Sequence, residues 1–143
     1  MPEGLDRAAA NARRVIVLPL ILNAAGHVKM EIPEHLESAR ARHPHTEFLY
    51  APHLGACDPI LAILKRRLQQ AMKMLDMPDP TTTGIVLLGR GSSDRMANGE
   101  VAKMARWLQE EGDHEIVDIA FTGITYPRLE RVVQRQARLG LTQ

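Results

Sequence analysis

His27 and Glu31 stand four residues apart in Ala25-Gly26-His27-Val28-Lys29-Met30-Glu31-Ile32-Pro33. If a helix begins near Gly26, the two share one face, and an imidazole and a carboxylate can then meet one cation or one proton. Neutral imidazole binds borderline divalent metals such as Co²⁺, so metal handling is the chemistry this pair suits. The other reading is a histidine that merely starts a helix. The segment follows the apolar run Val15 to Leu22, which reads as a buried parallel strand. Ligands of open α/β sheets gather beyond the carboxyl ends of such strands, and that is where His27 falls. Lys29 is near enough in sequence to meet a carboxylate of the same ligand, although an exposed helix position explains it equally well.

A second segment, Gly84-Ile85-Val86-Leu87-Leu88-Gly89-Arg90-Gly91-Ser92-Ser93-Asp94, is an apolar run that ends in a glycine-rich turn. At a helix N-terminus, Gly89, Gly91, Ser92 and Ser93 offer backbone and hydroxyl donors to an anion. Arg90 attracts a carboxylate but, always protonated, cannot ligate a cation. The alternative is a tight strand-to-helix connection without a ligand. Thr122, Thr125 and Tyr126 follow the last strand and are candidates for a pocket wall. His43 and His45 flank Pro44 in what reads as a solvated turn. His53 follows a strand and ranks behind His27, while His35 and His114 read as surface residues.

Positioning these groups requires alternating strands and helices. The pattern predicts a short helix over Leu5 to Arg13, a strand from Arg14 to Leu22, a helix from His27 or Pro33 to Arg42, a strand over Glu47 to Ala51, and a helix over Asp58 to Leu75. In the last of these, Ile60, Leu61, Leu64, Leu68, Met72 and Leu75 fall at helical spacing. Residues 77–83 contain two prolines and three threonines and read as an extended connector. Beyond it the same order returns: strand Ile85 to Leu88, helix Met96 to Glu111 capped by Asp94, strand Glu115 to Ala120, and helix Pro127 to Leu139 with Pro127 in its first turn. Two βαβα halves, 14–76 and 84–143, thus make a single domain over 1–143. Such alternation predicts an α/β three-layer sandwich with a four-stranded parallel sheet.

The bulk properties narrow the function. At 143 residues with 45% hydrophobic and 24% charged residues, the chain is an ordinary globular domain. A net charge of +1 gives no general attraction to nucleic acid or anionic membranes, and 3% aromatics leaves few stacking platforms. No apolar run approaches membrane-spanning length. The single cysteine, Cys57, excludes an internal disulfide and fits a reducing, cytoplasmic compartment. No nucleotide motif is present, and no targeting segment is evident at the start.

The His27 segment, the Gly89 to Ser93 turn and Phe121-Thr122-Gly123-Ile124-Thr125-Tyr126-Pro127 together resemble the class II tetrapyrrole chelatases, most closely the sirohydrochlorin cobaltochelatases, over nearly the whole chain. In that family a domain starts with a strand ending in Gly-His-Gly-Ser and carries Ala-Gly-x-His in its second half. Here the order is reversed, as in the middle of a tandem two-domain member, so the resemblance implies a fragment or a circular permutant. The family's strand order 2-1-3-4 becomes 4-3-1-2 after such an exchange, which is the same sheet read from its other edge. Each half alone leaves a strand edge unpaired, so halves must meet within one chain or between chains, and this leaves a homodimer, including a domain-swapped one, open.

The resemblance implies ATP-independent insertion of Co²⁺, as a substrate, into sirohydrochlorin during cobalamin biosynthesis. His27 would bind the metal and take pyrrole protons, Glu31 would assist, and Gly89 to Ser93 with Lys29 would hold the ring's carboxylates. Arg90 stands where the active family domain has its other metal-binding histidine. A second reading is therefore a non-catalytic or impaired chelatase-like module that binds metal or tetrapyrrole. A third is a phosphate-binding α/β domain that uses the glycine turn.

Overall fold

The computed structural model describes residues 1–143, which divide into two compact units, Met1–Gly55 and Ala56–Gln143. The first is built on a parallel pair, β1 (Arg14–Val17) and β2 (Glu47–Tyr50), in the register Val15 to Phe48 and Ile16 to Leu49. Successive side chains on a strand alternate between faces. Val15 and Phe48 accordingly turn inward, onto Leu5 and Ala9 of α1 (Pro2–Ala9) and Leu36 and Ala39 of α2 (Ile32–Arg42). Leu36 and Ala39 are 1% and 0% exposed. Their three-residue spacing keeps both on the stripe that faces the sheet.

The opposite face of this sheet is open, with Ile16 64% and Leu49 40% exposed. This corrects the expectation of a run buried on both faces. The strand also ends at Val17 rather than Leu22, and Leu18, Leu20 and Leu22 are exposed. Pro19 has no N–H to give a ladder, so regular pairing stops before it. The chain after β1 and the chain after β2 still run together, through Leu54 N–H to Ile21 O at 3.1 Å and Gly55 N–H to Leu22 O at 2.9 Å. The first helix covers Pro2 to Ala9 rather than Leu5 to Arg13, and Asp6 on it accepts from Arg42 at 2.9 Å and pairs with His43 Nε2 at 2.7 Å. His43 is thus a tether between α1 and the end of α2 and not a solvated turn residue. The hydrogen bonds from His43, which contributes most, and from Arg42 hold the Asp6 carboxyl below its ordinary value.

The second unit contains β3 (Ile85–Gly89) and β4 (Val117–Phe121), parallel in the register Ile85 to Val117 through Gly89 to Phe121. Helix α4 (Arg95–Glu110) packs on the face that carries Gly89 and Phe121, where Val101 meets them. Helix α5 (Leu129–Arg138) takes the other face: Gln136 donates to Ile85 O at 3.1 Å and to Asp118 Oδ2 at 3.0 Å, and Arg135 reaches Asp118 Oδ1 at 2.6 Å. Helix α3 (Asp58–Met72), grouped by sequence with the first half, packs against α4, with Lys65 paired to Glu111 at 3.0 Å. Pro127 lies outside α5, because its carbonyl accepts from Phe121 N–H at 2.8 Å and so belongs to the link that leaves β4. The fold is α/β. Strand pairing forms two two-stranded parallel sheets, β1 with β2 and β3 with β4, where the sequence predicts one sheet of four.

Candidate functional site

The chain beyond β1 reaches a turn of π-helix, His27–Glu31, which runs straight into α2. Both starts considered for this helix are therefore present, the first as a wider turn. Within it, His27 Nδ1 lies 2.6 Å from Glu31 Oε2, and the two side chains are 76% and 58% exposed. An ionised carboxylate only accepts, so Nδ1–H is the donor in this contact, and in the neutral imidazole Nε2 is then the nitrogen that carries the lone pair. A carboxylate that fixes the tautomer and orientation of an imidazole in this way raises its basicity as a metal ligand. No third His, Cys, Asp or Glu stands close enough to share an ion with the pair.

The π-turn leaves one carbonyl to be served from outside the helix. In it Ile32 N–H donates to His27 O, five residues back. The next donor in that series would be residue 33, which is proline and has no N–H. Val28 O is left without a helical partner, and the Tyr50 hydroxyl donates to it at 3.0 Å. Tyr50 is the last residue of β2, so this bond fixes the turn at the carboxyl end of the sheet, where His27 was expected. Burial raises the Tyr50 phenol above its ordinary value. Tyr50 escaped the sequence reading, although a proline six residues after a candidate ligand signals a carbonyl that needs an outside donor.

At the carboxyl end of β3 and β4, two turns lock together. Thr122 N–H donates to Gly89 O at 2.9 Å and Gly123 N–H to Arg90 O at 3.0 Å. Gly91 has φ +92°, and a Cβ there would fall 2.2 Å from Gly123 O. Glycine is therefore required at 91 both by conformation and by space. Ser92 N–H is taken by Asn98 Oδ1 at 2.9 Å, Asn98 Nδ2 donates back to Ser92 O at 2.8 Å, and Asp94 N–H is taken by Ser92 Oγ at 3.0 Å. Asp94 caps α4 as expected, accepting from Met96 N–H at 2.8 Å. The turn thus spends several donors on its own shape, and Asn98, another residue missed in the sequence, does much of that. Arg90 is exposed at its edge. Tyr126 is 70% exposed in the neighbouring turn, with the Arg128 guanidinium 5.0 Å from its ring centre.

Elsewhere in this unit a recess of about 520 Å³ is lined by Lys65, Leu68, Met72, Leu108 and His114. It lies at the amino end of β4, opposite the glycine turn. His114 Nε2 is buried there without a hydrogen-bond partner, whereas a surface position was expected.

By architecture this is an α/β protein of parallel β-α units that presents a carboxylate-oriented imidazole at one strand end. The chain belongs to the CbiX family, whose model matches residues 1–71 and 84–143. It is 37% identical over 139 residues to a sirohydrochlorin cobaltochelatase of Priestia megaterium, covering 96% of this chain and 45% of that protein. A sirohydrochlorin ferrochelatase of the same organism is 27% identical over 132 residues, 92% of this chain and 48% of that protein. Among solved structures, SirB from Bacillus subtilis with Fe³⁺ superposes with a TM-score of 0.81 at 25% identity, over 94% of this chain and 52% of that one. SirB from Bacillus subtilis subspecies spizizenii in complex with cobalt gives 0.68 at 20% identity over 97% of this chain and 62% of that one, a likeness of fold. The chain spans about half the length of the curated relatives it matches.

Proposed function

We propose that this chain carries metal-insertion machinery for sirohydrochlorin, with Co²⁺ as the metal substrate, no nucleotide, and a place in cobalamin biosynthesis in the cytoplasm. The observation that carries the reading is the 2.6 Å contact between His27 Nδ1 and Glu31 Oε2 at the start of a helix that follows a parallel strand. His27 Nε2 binds the incoming ion and takes a pyrrole proton once the ion has moved on. Glu31 orients the ring and stabilises the imidazolium that results. Lys29, Arg90 and the Gly89 to Ser93 turn are assigned to the carboxylates of the tetrapyrrole, Arg90 as a fork that suits a carboxylate. The higher identity to the cobaltochelatase than to the ferrochelatase favours cobalt over iron.

On this reading, residues 14–76 and 84–143 correspond to second-half-like and first-half-like parts of chelatase domains within a single domain, joined by 77–83. The test is to mix the protein with Co²⁺ and sirohydrochlorin and follow the visible spectrum. Insertion faster than in the protein-free control, lost in His27→Ala, is expected; a spectrum that evolves as in the control overturns the proposal. The second reading, a module that binds without inserting, draws on Arg90, since a guanidinium cannot supply the second imidazole. It predicts Co²⁺ binding at His27 with no insertion.

A further inference from the structure

We infer that Tyr50 is a positioning residue for the His27–Glu31 pair, acting through the carbonyl of Val28, an inference that rests on the reading of this pair as the metal-handling group. In the wider turn Ile32 N–H reaches back to His27 O, and Val28 N–H and Lys29 N–H both reach back to Ala25 O, at 3.0 and 3.1 Å. Pro33 can serve neither Val28 O, five residues back, nor Lys29 O, four residues back, and its ring crowds the latter. In an ordinary α-turn Ile32 N–H would serve Val28 O; here that donor is turned to His27 O, and Pro33 has no N–H to replace it. A carbonyl stripped of its helical donor needs another or must open to water. The Tyr50 hydroxyl, at 3.0 Å, is that donor.

The consequence reaches the side chains. His27 and Glu31 sit at the two ends of this turn, and the angle between residues four apart depends on whether the winding is π or α. Tyr50 therefore sets, at one remove, the geometry in which Nδ1 meets Oε2. Its ring packs against the core of the first unit, and its position at the end of β2 makes it a fixed post. Tyr50→Phe keeps the ring and removes only the donor. Pro33→Ala returns an N–H to the helix, which lets Val28 or Lys29 find a backbone partner without Tyr50.

The test uses both changes, singly and together, in the full chain. In the metal-free protein, ¹⁵N signals of the His27 ring report the Nδ1–H tautomer held by Glu31; Tyr50→Phe should move them towards the pattern of an unrestrained imidazole. Its Co²⁺ affinity, titrated with the metal alone, should fall about tenfold, as expected when support behind a ligand is lost. Amide-exchange protection at Ile32 should fall as well. In the Tyr50→Phe, Pro33→Ala double variant that protection should return while the ring signature and the Co²⁺ affinity do not, because the turn is satisfied but wound differently. Recovery of all three together would reduce Tyr50 to a stabilising contact and overturn the inference, as would an unchanged ring signature in Tyr50→Phe. If the unaltered protein binds no Co²⁺ at His27, the metal reading fails, and the ring signature alone still decides the role of Tyr50.

Discussion

Glu31 and His27 illustrate how much one contact at the scale of a residue can determine. An imidazole that is 76% exposed has no burial to hold its ring still, so the carboxylate four residues on is its main restraint. With Nδ1–H engaged by Glu31, the neutral ring has its lone pair on Nε2, the nitrogen open to a ligand. A charged partner also stabilises the imidazolium formed when the ring takes a proton. Glu31→Gln retains the shape and an acceptor but removes the charge. The affinity for Co²⁺, measured by calorimetry, should drop by about 10- to 100-fold, the usual cost of losing such a supporting carboxylate. An affinity unchanged within error would mean that Glu31 neither orients the ligand nor shares the ion.

At the scale of elements, the two glycine-bearing turns beyond β3 and β4 behave as one piece. Gly91→Ala combines a left-handed backbone with a methyl group placed 2.2 Å from Gly123 O, so one of the two turns must move. A loss of at least about 2 kcal/mol in urea unfolding is expected, from the left-handed penalty together with overpacking. A second tether, between α1 and α2, is electrostatic. Because Asp6 titrates below its ordinary 3.8 in the folded chain, its contribution is complete above that value and is lost as the pH falls through the lower folded value. The gap in stability between the protein and Asp6→Asn should therefore close on acidification below about 3.8 and stay constant just above it, as followed by urea midpoints at each pH. What the sequence revealed at this scale divides by range. The β-α alternation, the Asp94 cap and the His27–Glu31 pair rest on contacts within one turn, and periodicity exposes those. The excess length given to β1 came from reading apolar character as hydrogen bonding, which Pro19 breaks. The π-turn shares its four-residue pattern with an α-turn, and the donor that serves its open carbonyl is Tyr50, 22 residues from Val28. No local pattern encodes that.

For the whole molecule, the uneven cover of the first sheet has consequences. Its inner face meets two helices, while Ile16 and Leu49, directly opposite in register, stand 64% and 40% exposed, with Leu18 and Leu20 exposed a little further along the chain at 66% and 84%. Scattered apolar side chains on a surface are ordinary, but Ile16 and Leu49 are neighbours across the strands and make an exposed apolar patch on one face. A sheet of two strands also keeps ladder groups unpaired along its edges, which favours addition of another strand or sheet. Covering such a face releases its apolar area from water, at roughly 25 cal/mol per Å² before the cost of association is subtracted. The chain studied by itself should consequently self-associate, most simply as a symmetric pair in which the same patch serves both copies. Sedimentation velocity over a wide concentration range should show a sedimentation coefficient that rises with concentration. Ile16→Lys, which puts a charge in the middle of the patch without touching the helices behind it, should abolish that rise and leave the far-ultraviolet circular dichroism unaltered. A coefficient independent of concentration in the unaltered chain, or one indifferent to the lysine, would mean that this face tolerates water and that association has no part in how the protein works.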